Sequence, residues 1–110
     1  MDKLVIFRKT YELLVWLYPV LEQFPKSQRF VLGQQIFNTL LEFLKSLIEA
    51  NSIFQKREIL RTASVNLDKF RLLVRLAKDM KFMSIRKYQL TMEKTNEIGK
   101  MLGGMIKRFN

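Results

Sequence analysis

Arg71, Arg75 and Lys78 stand four and three residues apart, so a helix would turn all three cations the same way. The chemistry open to such a row is electrostatic: cations in line can hold phosphates, and arginine does so with two parallel donors. Little else in the chain offers chemistry. Cysteine and histidine are both absent, which removes thiolate nucleophiles, disulfides, the commonest metal ligands and the commonest general base. A catalyst would have to be built from carboxylates, Lys, Tyr or Ser alone. Nothing in the sequence supports one, so no catalytic, cofactor-binding or metal-binding residue is assigned and the chain reads as a non-enzyme.

The element that must carry the row is the stretch 66–80. Wound at about 100° per residue, it places Leu67, Phe70, Leu72, Leu73, Val74, Leu76, Ala77 and Met80 over an arc of about 220°. A helix in a small bundle needs an apolar stripe only somewhat over about 100° wide. The surplus predicts a second partner for this helix, either another copy of the chain or another protein. Asp68, Arg71, Arg75, Lys78 and Asp79 share the remaining strip in water. Within that strip the two aspartates lie at helical spacing from the cations, so an internally paired, neutral strip is the competing reading.

A chain of 110 residues is one domain by size, and its 48 % hydrophobic and 27 % charged residues make a globular balance. The net charge of +10 is unevenly placed. Residues 1–55 carry 6 Lys/Arg against 5 Asp/Glu and residues 56–110 carry 14 against 5, so the halves are +1 and +9. A surplus this concentrated points to a polyanion partner. Arg86, Lys87, Lys94, Lys100, Lys107 and Arg108 can extend the patch, although they point in several directions and some are ordinary solvated positions. No apolar run approaches the roughly 20 residues of a membrane span, and the N-terminus lacks a signal-peptide plan. A cytoplasmic protein with no membrane partner is expected.

The remaining elements follow from periodicity. A first helix runs from Lys3 to about Gln23. Glu12 is almost its only polar residue between Tyr11 and Leu21, so burial on most sides is expected, with Tyr11, Trp16 and Tyr18 read as core fillers in preference to platforms for base stacking. Pro19 inside it predicts a kink or a restart. Phe24-Pro25-Lys26-Ser27 breaks the chain, and Ser27 is the expected N-cap of a second helix reaching about Ala50. Its seam is Phe30, Gly33, Phe37, Leu40, Leu44 and Leu47, with Gln34, Asn38, Glu42, Lys45 and Glu49 opposite; Gly33 is expected to admit another helix closely. Asn51-Ser52 ends this helix, and Ser52 to Gln55 fits a capping box for a third helix that reaches Lys81 with Leu60, Ala63, Leu67, Phe70, Val74 and Ala77 inward. Ser84 caps the fourth, whose expected seam is Ile85, Tyr88, Met92, Thr95, Gly99, Leu102, Ile106 and Phe109. Gly99 and Gly103, four apart, read as a smooth groove for a neighbouring backbone rather than a phosphate loop. Four helices with short connections and no strands define an all-α, up-down-up-down bundle.

Two stretches carry a family likeness. Tyr11 to Gln34, YELLVWLYPVLEQFPKSQRFVLGQ, and Phe70 to Lys107, FRLLVRLAKDMKFMSIRKYQLTMEKTNEIGKMLGGMIK, resemble the four-helix-bundle accessory proteins of diversity-generating retroelements, called Avd (accessory variability determinant). A sister group encoded in intervening sequences of bacterial ribosomal RNA genes shares the FPK turn, the LAKD segment and the GKML ending. That group typically carries an Ile-Pro-Ser-Asn-Ile-Ala-Glu-Gly type segment where this chain has Thr39 to Lys45, which favours Avd. The resemblance implies a ring of five basic bundles with a central pore that binds the retroelement's reverse transcriptase. It also implies binding of RNA or DNA with little sequence preference, in support of mutagenic reverse transcription. The family's paired arginines on the third helix match Arg71 and Arg75. Two alternatives stay open: a protein-interaction scaffold for the polymerase that touches no nucleic acid itself, and a ribosomal RNA intervening-sequence bundle.

Overall fold

The computed structural model describes the backbone of residues 2–50 and 56–108 and the side chains of 5–50 and 56–108. Helix α1 is Asp2–Glu22. Helix α2 spans 26–50 and is built in three parts: one turn at Lys26–Gln28, a wider π-helical turn at Arg29–Gly33, and the regular run Gln34–Ala50. Helices α3 and α4 are Lys56–Asp79 and Ile85–Arg108. No strand occurs among the described residues. The molecule measures 42 × 22 × 20 Å. A helix of this length is about 36 Å long, so the helices run along the long axis and short connections make sequential neighbours antiparallel. Helices α1 and α3 each pack against both α2 and α4, which puts α1 and α3 at diagonal corners. Among the described residues no helix is long and apolar enough to cross a membrane.

The expected α3 seam is the observed one: Leu60, Ala63, Leu67, Phe70, Val74 and Ala77 are all buried. They meet Ile6, Leu13 and Leu17 of α1, Ile36, Leu40 and Phe43 of α2, and Ile98 and Leu102 of α4 in one core. The five expected polar positions of α2 are likewise exposed.

Other expectations are corrected. Ser27 does not cap α2, which already begins at Lys26 behind Pro25 and has no side-chain cap. Phe30, expected inward, is 76 % exposed, whereas Leu32 and Ile36 are buried. The cause is the π turn: with more residues per turn than an α-helix, it breaks the register that spacing from Leu40 backwards would project. A Cβ on Gly33 would lie 3.4 Å from the Gln28 carbonyl of its own helix, 3.6 Å from the Phe24 ring and 3.9 Å from the Leu21 carbonyl of α1, so the approach of α1 does not itself demand glycine. Helix α1 continues through Pro19 without restarting. Pro19 and Val15, four residues earlier, are both exposed, so the carbonyl that loses its donor lies on the solvent side. Tyr11 and Tyr18 are exposed too, and of the expected aromatic fillers only Trp16 packs partly against the core.

The α4 seam is rotated from expectation. Thr91, Thr95, Ile98, Leu102 and Met105 are buried, while Ile85 is exposed and Tyr88, Met92 and Ile106 lie at the border. Buried threonines are tolerated because each hydroxyl donates to the carbonyl one turn back: Thr91 to Lys87 at 2.7 Å, Thr95 to Thr91 at 2.7 Å and Thr10 to Ile6 at 2.8 Å. Between α3 and α4 the chain turns through Lys81 at φ 66°. The Phe82 amide donates to Ala77 O at 2.9 Å and the Lys81 amide to Lys78 O at 3.0 Å, the paired bonds of a Schellman ending. Ser84 then caps α4 as expected, its Oγ accepting from the Lys87 amide at 3.1 Å. The expected end at Asn51-Ser52, the Ser52 to Gln55 capping box and Phe109 lie outside the described residues.

Candidate nucleic-acid interface

The three cations of α3 do not share one environment. The solvent-facing centre of the helix is taken by the apolar surplus: Val65, Leu72, Leu76 and Met80 are exposed. The cationic row is thereby displaced to the flank that borders α4. Arg71 lies down in that groove with its side chain 28 % exposed. Its Nη1 donates to Asp68 Oδ1 at 2.9 Å and its Nε to Asn96 Oδ1 of α4 at 3.3 Å. Gly99 makes room for it, since a Cβ there would collide with the guanidinium. The close neighbour of Gly99 is therefore a side chain and not the backbone expected from its spacing, and Gly103 and Gly104 face open space.

Lys78, one row further along, behaves like Arg71. Its side chain is 26 % exposed, its Nζ lies 3.1 Å from Asp79 Oδ1, and it stands 4.6 Å from the centre of the Tyr88 ring on α4. Only Arg75 projects, at 68 % exposure, with its Nε 3.8 Å from Asp79 Oδ2. A contact that long between exposed groups is worth little. The expectation that all three cations stand in the open strip is corrected accordingly, and the row carries one net positive charge over Asp68 and Asp79.

Two further surfaces complete the picture. At the corner diagonal to α3, Tyr11, Val15, Tyr18 and Phe30 form a second exposed apolar face. It holds a groove of about 380 Å³ with Leu21, Gly33 and Phe37 in its walls. Tyr18 and Phe37 meet edge to face at 5.8 Å. On the side where α1 meets α4, Lys87 and Lys94 both place their Nζ over the Trp16 ring, at 5.6 and 5.2 Å from its centre. The sequence left base stacking by Trp16 as the weaker alternative to core filling, and it gave no sign that Lys87 and Lys94 meet that ring, since the lysines were assigned to separate directions. The signal exists only once α4 is known to pack beside α1. No group of acidic residues able to hold a metal ion occurs among the described residues.

Set against known protein families, residues 4–109 match the family described as bAvd-like, in agreement with the resemblance carried by Tyr11 to Gln34 and Phe70 to Lys107. No curated protein matches the chain.

Proposed function

The chain belongs to the bAvd-like family and is an Avd-type accessory protein; on that premise we propose that it works without catalysis as a basic ring of copies. The ring holds RNA or DNA, with little sequence preference, together with the cognate reverse transcriptase of a diversity-generating retroelement during mutagenic copying. One observation carries the nucleic-acid part of this reading: the half of the chain with a net charge of +9 folds as α3 and α4, which pack side by side. One flank of the bundle is therefore strongly cationic. Arg75 is its projecting member in the α3 row, and Arg71 and Lys78 stand beside it as contacts for phosphate or for the polymerase.

The ring is supported by the two unpartnered apolar faces. They are different in character, a ridge on α3 and a groove between α1 and α2, and they sit at diagonal corners. Two unlike faces pair head to tail, and head-to-tail contacts close into rings when the rotation permits. The count of five copies is taken from the family resemblance. Each phosphate contact is then repeated around the ring, which multiplies a weak local site through multivalency.

The experiment is a binding assay of the purified protein with unrelated single-stranded RNA and duplex DNA at about 50 mM salt, with no polymerase present. Affinity should fall steeply as salt rises, because each neutralised phosphate releases counterions. Arg71→Ala with Arg75→Ala should weaken binding without changing the assembly's mass by light scattering. A second reading is favoured by the pairing of Arg71, Arg75 and Lys78 with Asp68 and Asp79: a scaffold that recognises only the polymerase. Absence of any binding to RNA and DNA in this assay removes the first reading and favours the second.

A further inference from the structure

Resting on the nucleic-acid reading above, we infer that the α1/α4 face holds a contact site for single-stranded nucleic acid, in which Trp16 stacks a base and Lys87 and Lys94 take the flanking phosphates. Two ammonium groups over one indole, at 5.6 and 5.2 Å from its centre, are both within cation–π range. Seven residues apart, they leave α4 on one face and reach the same ring, where a bound anion would offset the charge they bring together.

The charge balance separates this face from the α3 row. Among the described residues no carboxylate lies within 4 Å of the Lys87 or Lys94 ammonium, whereas every cation of the α3 row has an aspartate within that distance. Glu97, which lines the same cleft as Lys94, is already engaged by Lys9 at 3.2 Å. Glu12 shares a small cavity with Lys94 and is the one carboxylate there without a cation of its own. The aromatic component matters equally. Trp16 is half-buried against the core and carries the two ammonium groups over its ring, so a base that stacks there takes their place as they swing out to the flanking phosphates. A fixed aromatic platform beside unpaired cations is the arrangement by which proteins hold single strands: stacking accepts any base, and the cations track the backbone. A duplex keeps its bases stacked on one another and cannot offer a face to the ring.

Trp16 is the single tryptophan of the chain, so intrinsic fluorescence reports on this site alone. The test titrates the intact protein with a labelled, mixed-sequence RNA of about twenty nucleotides, following probe anisotropy and tryptophan emission in parallel, with duplex DNA and inorganic phosphate as comparison arms. Emission should change along the same isotherm as anisotropy with the single strand, and much less with duplex or phosphate. Lys87→Gln with Lys94→Gln should weaken RNA binding about tenfold at low salt and lower the salt slope by about 1.4, the value for two lost single-strand phosphate contacts. Lys26→Gln with Lys45→Gln, which removes the same charge from α2, should do much less. The inference is overturned if RNA binds by anisotropy while tryptophan emission stays unmoved, if duplex moves it as far, or if the two double variants bind alike; the proposed function survives each of these. No binding by either readout overturns both.

Discussion

Gly99→Ala is the substitution whose outcome follows most directly from the geometry. In a helix interior the exchange alone stabilises by about 1 kcal/mol, because alanine loses less backbone freedom on folding. Here the new methyl would collide with the Arg71 guanidinium. The guanidinium is the far end of a flexible side chain, so it moves out at low steric cost. Leaving the groove forfeits the 3.3 Å bond to Asn96 and the constraint on the 2.9 Å pair with Asp68. A partly exposed hydrogen bond and a surface ion pair together hold roughly 0.5–1.5 kcal/mol. The two effects offset, and the net change should lie within about 0.5 kcal/mol of zero. Gly103→Ala supplies the comparison: nothing lies within 4 Å of its Cβ position, so the full 1 kcal/mol or so should appear. Urea or thermal unfolding at one fixed protein concentration resolves the difference, since about 1 kcal/mol moves the midpoint by roughly 4–8 °C for a chain near this size. Placing Gly99→Ala in an Arg71→Ala background should restore the missing stabilisation, as a double-mutant cycle requires of groups in contact. If Gly99→Ala alone stabilises as much as Gly103→Ala, Arg71 is not seated on Gly99 and the assignment of its side chain to the α3/α4 groove is wrong.

Further expectations concern the ends of helices and the exposed stripe. Lys81 occupies a left-handed position, φ 66°, which costs a residue with a Cβ about 1–2 kcal/mol; Lys81→Gly should raise stability by about 1 kcal/mol, and a loss on denaturation would contradict the Schellman assignment. Ser84→Ala removes the acceptor for the Lys87 amide and should cost about 1 kcal/mol, read as a lower urea midpoint with unchanged slope. Leu72→Glu with Leu76→Glu puts charge into the α3 stripe, which is exposed within the chain. Helicity by circular dichroism should persist while mass by light scattering falls to that of one chain; unchanged mass would exclude the stripe from the subunit contact.

How far the sequence could be read depended on which rule governed each helix. The α3 seam was legible throughout because its buried positions, from Leu60 to Ala77, keep unbroken α-helical spacing and are all apolar. Ser84 was legible because it follows a turn and directly precedes an amphipathic run, whereas the same signal failed at Ser27, where the helix already begins at Lys26 behind Pro25. On α2, the π turn at Arg29–Gly33 leaves no compositional mark, so Phe30 was assigned inward from a register that holds only beyond it. Helix α4 misled through chemistry: Thr91 looks polar in sequence, but its hydroxyl is satisfied by its own helix, and it packs as an apolar residue. Tyr11 and Tyr18 failed for the opposite reason, since an aromatic-rich helix looks buried whether its second face meets the core or another molecule. Of the candidate site, the spacing of Arg71, Arg75 and Lys78 was visible, whereas the leaning of Arg71 and Lys78 on α4 depends on Gly99, Asn96 and Tyr88 across the groove.

Those cross-groove contacts divide labour between the two basic helices. The edge of α3 sets Asp68, Arg71, Arg75, Lys78 and Asp79 beside Leu72, Leu76 and Met80. An apolar strip rimmed by nearly balanced charges suits a protein contact, because the rim adds registry with little net repulsion between like copies. The cations of α4 that stand over Trp16 have no such acids within 4 Å and suit a polyanion. In a ring the α3 row would gain its nucleic-acid affinity only by repetition, one net charge per copy, whereas the Trp16 site would act within each copy. Dissociating the ring should therefore reduce affinity for long strands far more than for a strand of a few nucleotides, since only the longer ligand reaches more than one copy.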